Sequence, residues 1–345
     1  MFTLTDLSVP VVQAPMAGGP ATVDLAAAVS AAGGLGFLAA GYKTADAMGA
    51  EVEELRSRTR SPFGVNVFVP EADVADPGDL AAYAAALAEV AAELDVPAPS
   101  VGGHSDDDYE AKIDLLERHP VPVVSFTFGL PDRRVLERLR AVGTAVVLSV
   151  SDDAEARRAD ALDPDAIVLQ GPEAGAHRAT LDMRHDPDQR SLDELLEATL
   201  PVVAAPVVAA GGIGTAARVE RLLTAGAAAV QVGTLFLTAA ETGTRPTHRR
   251  ALLSGEFPGT VQTRAFSGRV ARGLRNRFVE MVSGREVVGY PQVHYMTTPL
   301  RAAAARNDDP RYLNLWAGTA YGQCRETSAA EVVAALDPRR DGAHP

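Results

Sequence analysis

Short apolar runs recur along the first two thirds of the chain, and a longer helical pattern follows most of them. The runs lie at 9–14, 35–40, 63–69, 121–128, 144–150, 166–170, 206–210 and 228–232. They are apolar on both faces, as buried parallel strands are. The helical stretches lie at 23–32, 45–58, 80–94, 131–142, 152–161, 192–199 and 216–225. This alternation predicts an α/β protein, a (β/α)8 TIM barrel, with a doubly wound open sheet as the alternative.

Two segments depart from this pattern. The segment 71–120 is long for a single crossover from a strand to a helix. The segment 238–310 follows the eighth run, has a mixed Arg/Gly/Pro texture and contains no further βα unit. We therefore predict a barrel over 1–237, a small added domain over 238–310, and a C-terminal helical segment over 311–345 that returns to the barrel.

Charge and cysteine content narrow the classes of partner. Lys+Arg is 32 and Asp+Glu is 45, which gives a net charge of −13 and argues against nucleic acid and anionic membranes as partners. The single cysteine, Cys324, excludes an intrachain disulfide and a cysteine-built metal cluster. No metal-ligand spacing such as HExxH occurs, so we predict no metal. The N-terminus lacks signal-peptide features, and the most apolar run, 200–210, is too short for a bilayer, so we expect a cytoplasmic protein.

Glycines mark the ends of the seventh and eighth predicted strands. Gly211 and Gly212 follow one strand, and Gly233 and Thr234 follow the other. In many TIM barrels these two ends hold a phosphate with backbone N–H groups, and glycine lets the phosphate approach the backbone. A purely structural role in tight turns is the alternative. Because the segment lacks the G-x-G-x-x-G fingerprint, a phosphorylated flavin suits it better than NAD.

His177 is the strongest candidate for acid–base chemistry. Of the seven histidines, it alone directly follows a predicted strand end, in a Gly/Ala-rich loop. Imidazole titrates near neutrality and can therefore take or hold a proton at working pH. Glu173 lies four residues earlier and is a candidate either to orient it or to bind an amide. The alternative is a structural histidine, since no Ser/His/Asp or Cys/His arrangement is evident.

Four sequence blocks and a short tail segment carry a family resemblance. The blocks are PVVQAPMAGG and LAAAVSAAGGLGFL within 10–38, FGVNVFVP at 63–70, LQGPEAGAHR at 169–178, and PVVAAGGIGTAARVERLLTAGAAAVQVGTLFL at 206–237. The tail segment is NLWAG at 314–318. Together they resemble the nitronate monooxygenases, once called 2-nitropropane dioxygenases. FMN-dependent enoyl-acyl-carrier-protein reductases and NADH:quinone reductases share much of the same set.

The resemblance implies an FMN-bearing TIM barrel whose smaller domain covers the active site. It implies that Met16 lies against the flavin, and that Asn66 and Gln170 hydrogen-bond the isoalloxazine or ribityl groups. His177 matches the active-site histidine of the family. The other FMN contacts that the resemblance implies are Gly175, Gly212, Gln231, Val232, Gly233 and Thr234.

The chain departs from the family pattern at two positions beside His177. Ala176 stands where the family motif usually has its second glycine, and Ala179 stands where a glycine usually follows the arginine. The alanine at 179 affects a backbone contact to the cofactor that the resemblance implies.

The resemblance also implies a reaction. It implies FMN-dependent oxidation of alkyl nitronates, or of nitroalkanes, with O2 to carbonyl compounds and nitrite. The alternative enzyme is an FMN-dependent NAD(P)H reductase of a quinone or an enoyl thioester, and the alternative class is a non-catalytic flavin-storing protein. We expect a small-molecule nitronate and O2 as partners, with a homodimer as the candidate assembly.

Overall fold

The computed structural model describes residues 2–340, and eight parallel strands form its central sheet. In chain order with the short strand β7 left out, they are β1 (Val11–Gln13), β2 (Gly36–Ala39), β3 (Phe63–Phe68), β4 (Val123–Thr127), β5 (Ala145–Val150), β6 (Ala166–Gln170), β8 (Val207–Ala210) and β9 (Ala229–Val232). They lie in the order β1-β9-β8-β6-β5-β4-β3-β2. A parallel bridge between Val12 and Leu35 brings β1 to β2 and so joins the two edges. The (β/α)8 TIM barrel is therefore confirmed, and the open sheet is excluded.

The helices fall into two groups, those that surround this barrel and those that belong to a second apolar cluster. They are α1 (Val23–Ala31), α2 (Ala45–Arg58), α3 (Pro77–Glu93), α4 (Tyr109–Arg118), α5 (Arg133–Ala141), α6 (Asp153–Asp160), α7 (Leu192–Thr199), α8 (Ala216–Thr224), α9 (Pro246–Ser254), α10 (Arg277–Val282), α11 (Gln292–Arg306) and α12 (Ala329–Leu336). Side-chain caps start most of those in the barrel; Thr44, for example, accepts from the amide of Ala47 at 3.2 Å. No helix within residues 2–340 is long and apolar enough to cross a membrane.

Alternating side chains of each strand build two layers of apolar packing. In β5, Val146 and Leu148 belong to the layer between the strands and the helices, while Val147 belongs to the barrel interior. Residues of the N-terminal segment, including Phe2 and Leu4, pack against the interior cluster. Because that cluster includes the first residues of β4, β5, β6 and β9, the N-terminal segment covers the bottom of the barrel. The carboxyl ends are left as the open mouth.

The long crossover between β3 and β4 contains two helices rather than one. The second, α4, packs beside α2 and α5 as the barrel helix. The first, α3, packs against α10 and α11, and its Leu87 lies in one apolar cluster with Phe278 and Leu300. This second cluster thus unites a helix from the crossover with residues of the segment 237–317. The division into 1–237, 238–310 and 311–345 remains a prediction.

A small antiparallel sheet lies over the barrel mouth. It consists of β7 (Ala176–His177), β11 (Ala271–Leu274) and β10 (Thr260–Thr263), with β11 in the centre. His177 pairs in register with Ala271. The sheet therefore fixes the loop after β6 to the segment that follows β9. The chain then returns to the barrel wall, where α12 packs against α1.

Candidate active site

One cavity at the mouth of the barrel is lined by every residue that the sequence singled out as a site residue. It encloses about 1750 Å³ of empty space when the open solvent at its mouth is included. The predicted residues in its wall are Met16, Asn66, Gln170, Gly175, His177, Gly211, Gly212, Gln231, Val232, Gly233 and Thr234. The structure brings them together, and their individual roles stay predictions.

The ends of β8 and β9 present unpaired backbone donors to this cavity. Within residues 2–340, the N–H groups of Gly212, Ile213, Gly233 and Thr234 donate to no other protein group. Gly212 has φ +66°, and a Cβ there would lie 2.9 Å from the Cβ of Glu173. Glycine is thus required at position 212, both by the positive φ of the turn and by the close approach of Glu173. The turn leaves backbone amides without a protein partner in the cavity wall, and such amides are the donors that bind phosphate in many proteins.

Asn66 lies on the floor of the cavity at the centre of β3. Its Nδ2 donates to Ser125 Oγ at 2.9 Å and to Thr127 Oγ1 at 3.0 Å, and the residue is 2% exposed. These bonds occupy the amide nitrogen and leave Oδ1 as an acceptor for a ligand.

Gln170 holds the loop that carries the histidine. Its Oε1 accepts from the amide of Ala179 at 2.9 Å, and its Nε2 donates to the carbonyl of His177 at 3.0 Å. One N–H of its amide group remains for a ligand. The amide of Ala179 is therefore satisfied inside the protein.

His177 stands in an aromatic cage at the mouth of the barrel. Its ring centroid lies 5.6 Å from that of Phe128, 5.7 Å from that of Tyr290 and 5.5 Å from that of Trp316. Its Nε2 lies 2.9 Å from Ser267 Oγ. The histidine thus has one fixed hydrogen-bond partner, and the ring forms part of the cavity wall.

The surroundings of His177 keep its ring neutral. Burial lowers the pKa of His177 to about 3, and the positive charges of Arg269 and Arg301 add to this. Arg269 is itself 1% exposed, forms an ion pair with Glu71, and places its guanidinium 4.1 Å from the centroid of the Phe128 ring. At neutral pH the imidazole is therefore an uncharged group that can accept a proton.

The cavity wall is rich in cations. Arg245 and Arg301 line it, while none of its described lining residues is an Asp or Glu. The hydrogen-bond partners of Arg301 include the carbonyl of His294 at 2.9 Å and Thr297 Oγ1 at 3.2 Å, and they are all neutral groups. A guanidinium with only neutral partners attracts an anion.

Comparison with known proteins decides the family of this chain. Residues 2–338 match the family model described as nitronate monooxygenase. A probable nitronate monooxygenase of Staphylococcus aureus (strain Newman) is 34% identical over 318 residues, which cover 91% of this chain and 89% of the relative. The chain belongs to the nitronate monooxygenase family. It is accordingly an enzyme, an oxidoreductase.

Solved structures agree with membership of the nitronate monooxygenase family. The nitroalkane oxidase from Streptomyces ansochromogenes has a TM-score of 0.93 and 44% identity, with 99% of this chain and 98% of that chain covered. FabK from Thermotoga maritima has a TM-score of 0.75 and 25% identity, with 99% of this chain and 97% of that chain covered.

Several cavity residues of this nitronate monooxygenase family member were not predicted from the sequence. Tyr42 and Phe128 follow β2 and β4 and adopt φ +65° and +78°, a conformation that bulky residues seldom adopt outside strained or functional sites. His294 lies with its ring stacked on Tyr42 at 4.3 Å between centroids. Inspecting the residues at the end of every predicted strand, as was done for Gly211 and Gly233, could have found Tyr42 and Phe128. His294 and Arg301, seven residues apart and thus on one face of α11, were a second available signal.

The two departures from the nitronate monooxygenase motif differ in backbone conformation. Ala176 has φ +61°, which favours glycine, whereas Ala179 is not among the residues with positive φ. The first departure therefore strains the loop beside His177, and the second does not.

Proposed function

We propose that the protein oxidises alkyl nitronates with O2 to carbonyl compounds and nitrite, using noncovalently bound FMN. The observation that carries the proposal is the charge of the cavity, which has two guanidinium groups and no carboxylate in its described wall. A nitronate is an anion, and such a cavity favours an anion over a neutral molecule of the same shape. Membership of the nitronate monooxygenase family supports the same chemistry.

The donors at the ends of β8 and β9 fit the phosphate of FMN. The amides of Gly212, Ile213, Gly233 and Thr234 would bind its oxygens, and Asn66 Oδ1 and the remaining N–H of Gln170 are available to its polar ring atoms. Glycine at 175, 211 and 233 and the side chain of Met16 would border the cofactor. Bound there, FMN supplies the electron acceptor of the reaction.

Arg301 is the residue that we propose to attract the nitronate. Its guanidinium is fixed by the carbonyl of His294 and by Thr297 Oγ1, so little side-chain entropy remains to be lost on binding. Tyr42, stacked on His294, adds a flat surface beside it. These groups would orient the anion and exclude water from it.

The low pKa of His177 favours nitronates over neutral nitroalkanes. A neutral nitroalkane must first lose its α-proton, and a base whose pKa is about 3 is a weak acceptor for it. A nitronate has already lost that proton. We therefore expect nitroalkanes to react through His177, and more slowly than the corresponding nitronates.

A reductase is the second candidate, because FMN-dependent enoyl-acyl-carrier-protein reductases and NADH:quinone reductases share much of the motif set at 10–38, 63–70, 169–178 and 206–237. The two candidates are separated by assaying purified protein with propyl-2-nitronate in air, and with NADH plus a quinone. Our proposal expects nitrite release and O2 consumption that both require bound FMN, with flavin-free protein as the control. NADH oxidation coupled to the quinone, without nitrite from the nitronate, would instead establish the reductase.

A further inference from the structure

Ser267 is the direct hydrogen-bond partner of His177, and the two residues are 90 positions apart in the chain. Ser267 is 1% exposed and lies in a turn just before β11, with its Oγ 2.9 Å from His177 Nε2. The turn is tightly fixed, because Gly268 has φ +76° and a Cβ there would lie 2.8 Å from the backbone of Gly289. The serine hydroxyl is thus held in place independently of the histidine.

Counting protons on Ser267 assigns the tautomer of His177. A serine hydroxyl has one proton to donate and two lone pairs to accept with. Ser267 Oγ donates to the carbonyl of Arg269 at 3.2 Å and accepts from the amide of Arg269 at 3.4 Å. Within residues 2–340 that carbonyl has no other donor. A buried carbonyl without a donor is costly, so the single hydroxyl proton belongs there.

The remaining lone pair of Ser267 must then accept from His177. We infer that Ser267 holds His177 as the Nε2–H tautomer, so that Nδ1 is the bare nitrogen and the proton acceptor of the site. Nδ1 has no hydrogen-bond partner among the described residues, and the ring lines the cavity. Ser267 is a positioning residue, because it acts through the histidine and does not itself line the cavity.

In the reaction of neutral nitroalkanes, this tautomer makes Nδ1 of His177 the proton acceptor and makes Ser267 a positioning residue. This part of the inference rests on the proposed function. The α C–H bond of the nitroalkane breaks, its electron pair moves into the nitro group to give the nitronate, and the proton goes to Nδ1. Ser267 Oγ continues to accept from Nε2–H, and so stabilises the imidazolium that forms. A substrate that is already a nitronate skips this step and needs neither Nδ1 nor Ser267.

The tautomer is measured directly by nitrogen NMR of the FMN-loaded protein labelled with ¹⁵N-histidine, with His177→Asn used to assign the signal. We expect at pH 7 a protonated, pyrrole-like shift for Nε2 and an unprotonated, pyridine-like shift for Nδ1. The opposite pattern would overturn the inference. Because the spectrum requires no turnover, it tests the tautomer even if the protein oxidises no nitro compound, in which case only the proposed function fails.

The variant Ser267→Ala tests what the tautomer does. We expect kcat/KM for nitroethane to fall by about 10–100-fold, the size of a lost orientation, while kcat/KM for ethyl nitronate changes by less than about 2-fold. The control is Ser30→Ala, which removes an equally buried hydroxyl that bonds the amide of Gly36 far from the cavity; it should leave both substrates unchanged. Equal losses on both substrates in Ser267→Ala, or no loss on nitroethane, would contradict the positioning role.

Discussion

The two ends of the cavity are built in different ways. At the end formed by β8 and β9, two loops leave backbone amides unpaired in the cavity wall, and their glycines lie within about two dozen residues of one another. At the other end, side chains from five distant segments meet: Tyr42, Phe128, His177 with Ser267, and His294 with Arg301. The first end depends on local turn geometry, and the second depends on tertiary packing. We therefore expect them to respond differently to substitution.

The largest effect should come from filling the backbone end. Gly212→Leu should yield folded protein without FMN, because a Cβ at 212 would lie 2.9 Å from the Cβ of Glu173 and would displace the turn that carries the unpaired amides. The matched control is Gly143→Leu, since Gly143 has φ +85° and a Cβ there would meet nothing within 4 Å. Both variants carry the left-handed penalty of about 1–2 kcal/mol. The measurement is FMN absorbance per folded protein, and stoichiometric FMN in Gly212→Leu would show that the phosphate lies elsewhere.

At the side-chain end, His177→Asn should keep FMN and the fold but lose activity. We expect a loss of roughly 10²–10⁴-fold in turnover with a neutral nitroalkane, and a smaller loss with the preformed nitronate. Steady-state rates with a nitroalkane and with its own nitronate measure the difference between the two losses. Equal losses would remove the base role, and an unchanged rate would remove His177 from the mechanism.

Acidification should destabilise the side-chain end. Burial lowers the pKa of His177 to about 3, that of His248 to about 4 and that of His294 to about 2. Unfolded histidine binds its proton near pH 6.5, so the unfolded state binds more protons and the free energy of unfolding falls as pH drops from about 6.5 toward 4. Each histidine contributes a slope of about 1.4 kcal/mol per pH unit. Denaturant titrations between pH 7 and 5 should give a smaller slope for His248→Gln than for the wild type; identical slopes would mean that His248 is already protonated or exposed.

Removing the guanidinium of Arg301 should weaken the binding of nitronates and leave the binding of FMN unchanged. Arg301→Gln should raise KM for alkyl nitronates by about 10-fold, the size of one charge-assisted hydrogen bond, and should leave FMN content unchanged. Arg325→Gln is the control, because Arg325 is exposed, lies outside the cavity wall and also bonds only neutral carbonyls. A KM that is equal in both variants would contradict the role of Arg301.

The smallest effect concerns the two alanines at family glycine positions. Ala176→Gly should raise the free energy of unfolding by about 1 kcal/mol, because it relieves φ +61°. Ala179→Gly should lower it by about 0.5–1 kcal/mol, because glycine there gains freedom only in the unfolded chain. Denaturant unfolding of the two variants checks the opposite signs. A stabilised Ala179→Gly variant, or a destabilised Ala176→Gly variant, would contradict the assignment of backbone strain to position 176 alone.

The same contrast explains what could be predicted from the sequence. The strands could be predicted because buried parallel strands are apolar on both faces. The backbone end of the cavity could be predicted because glycines such as Gly212 and Gly233 follow two of those strands. Helix α4 was left out of the predicted βα pattern because α3, which packs on α10 and α11, took its place there. Ser267 was missed because no local motif connects it to His177. The pairing of β7 with β11 brings the two segments together in the fold.

The central claim is that nitronates, and not pyridine nucleotides, reduce the bound flavin. Anaerobic stopped-flow absorbance of the FMN-loaded protein tests it with each donor separately. We predict rapid loss of oxidised-flavin absorbance with an alkyl nitronate such as propyl-2-nitronate, and no useful rate with NADH or NADPH. Rapid bleaching by NADH together with no response to the nitronate would contradict the account, and would identify the protein as a quinone or enoyl-thioester reductase.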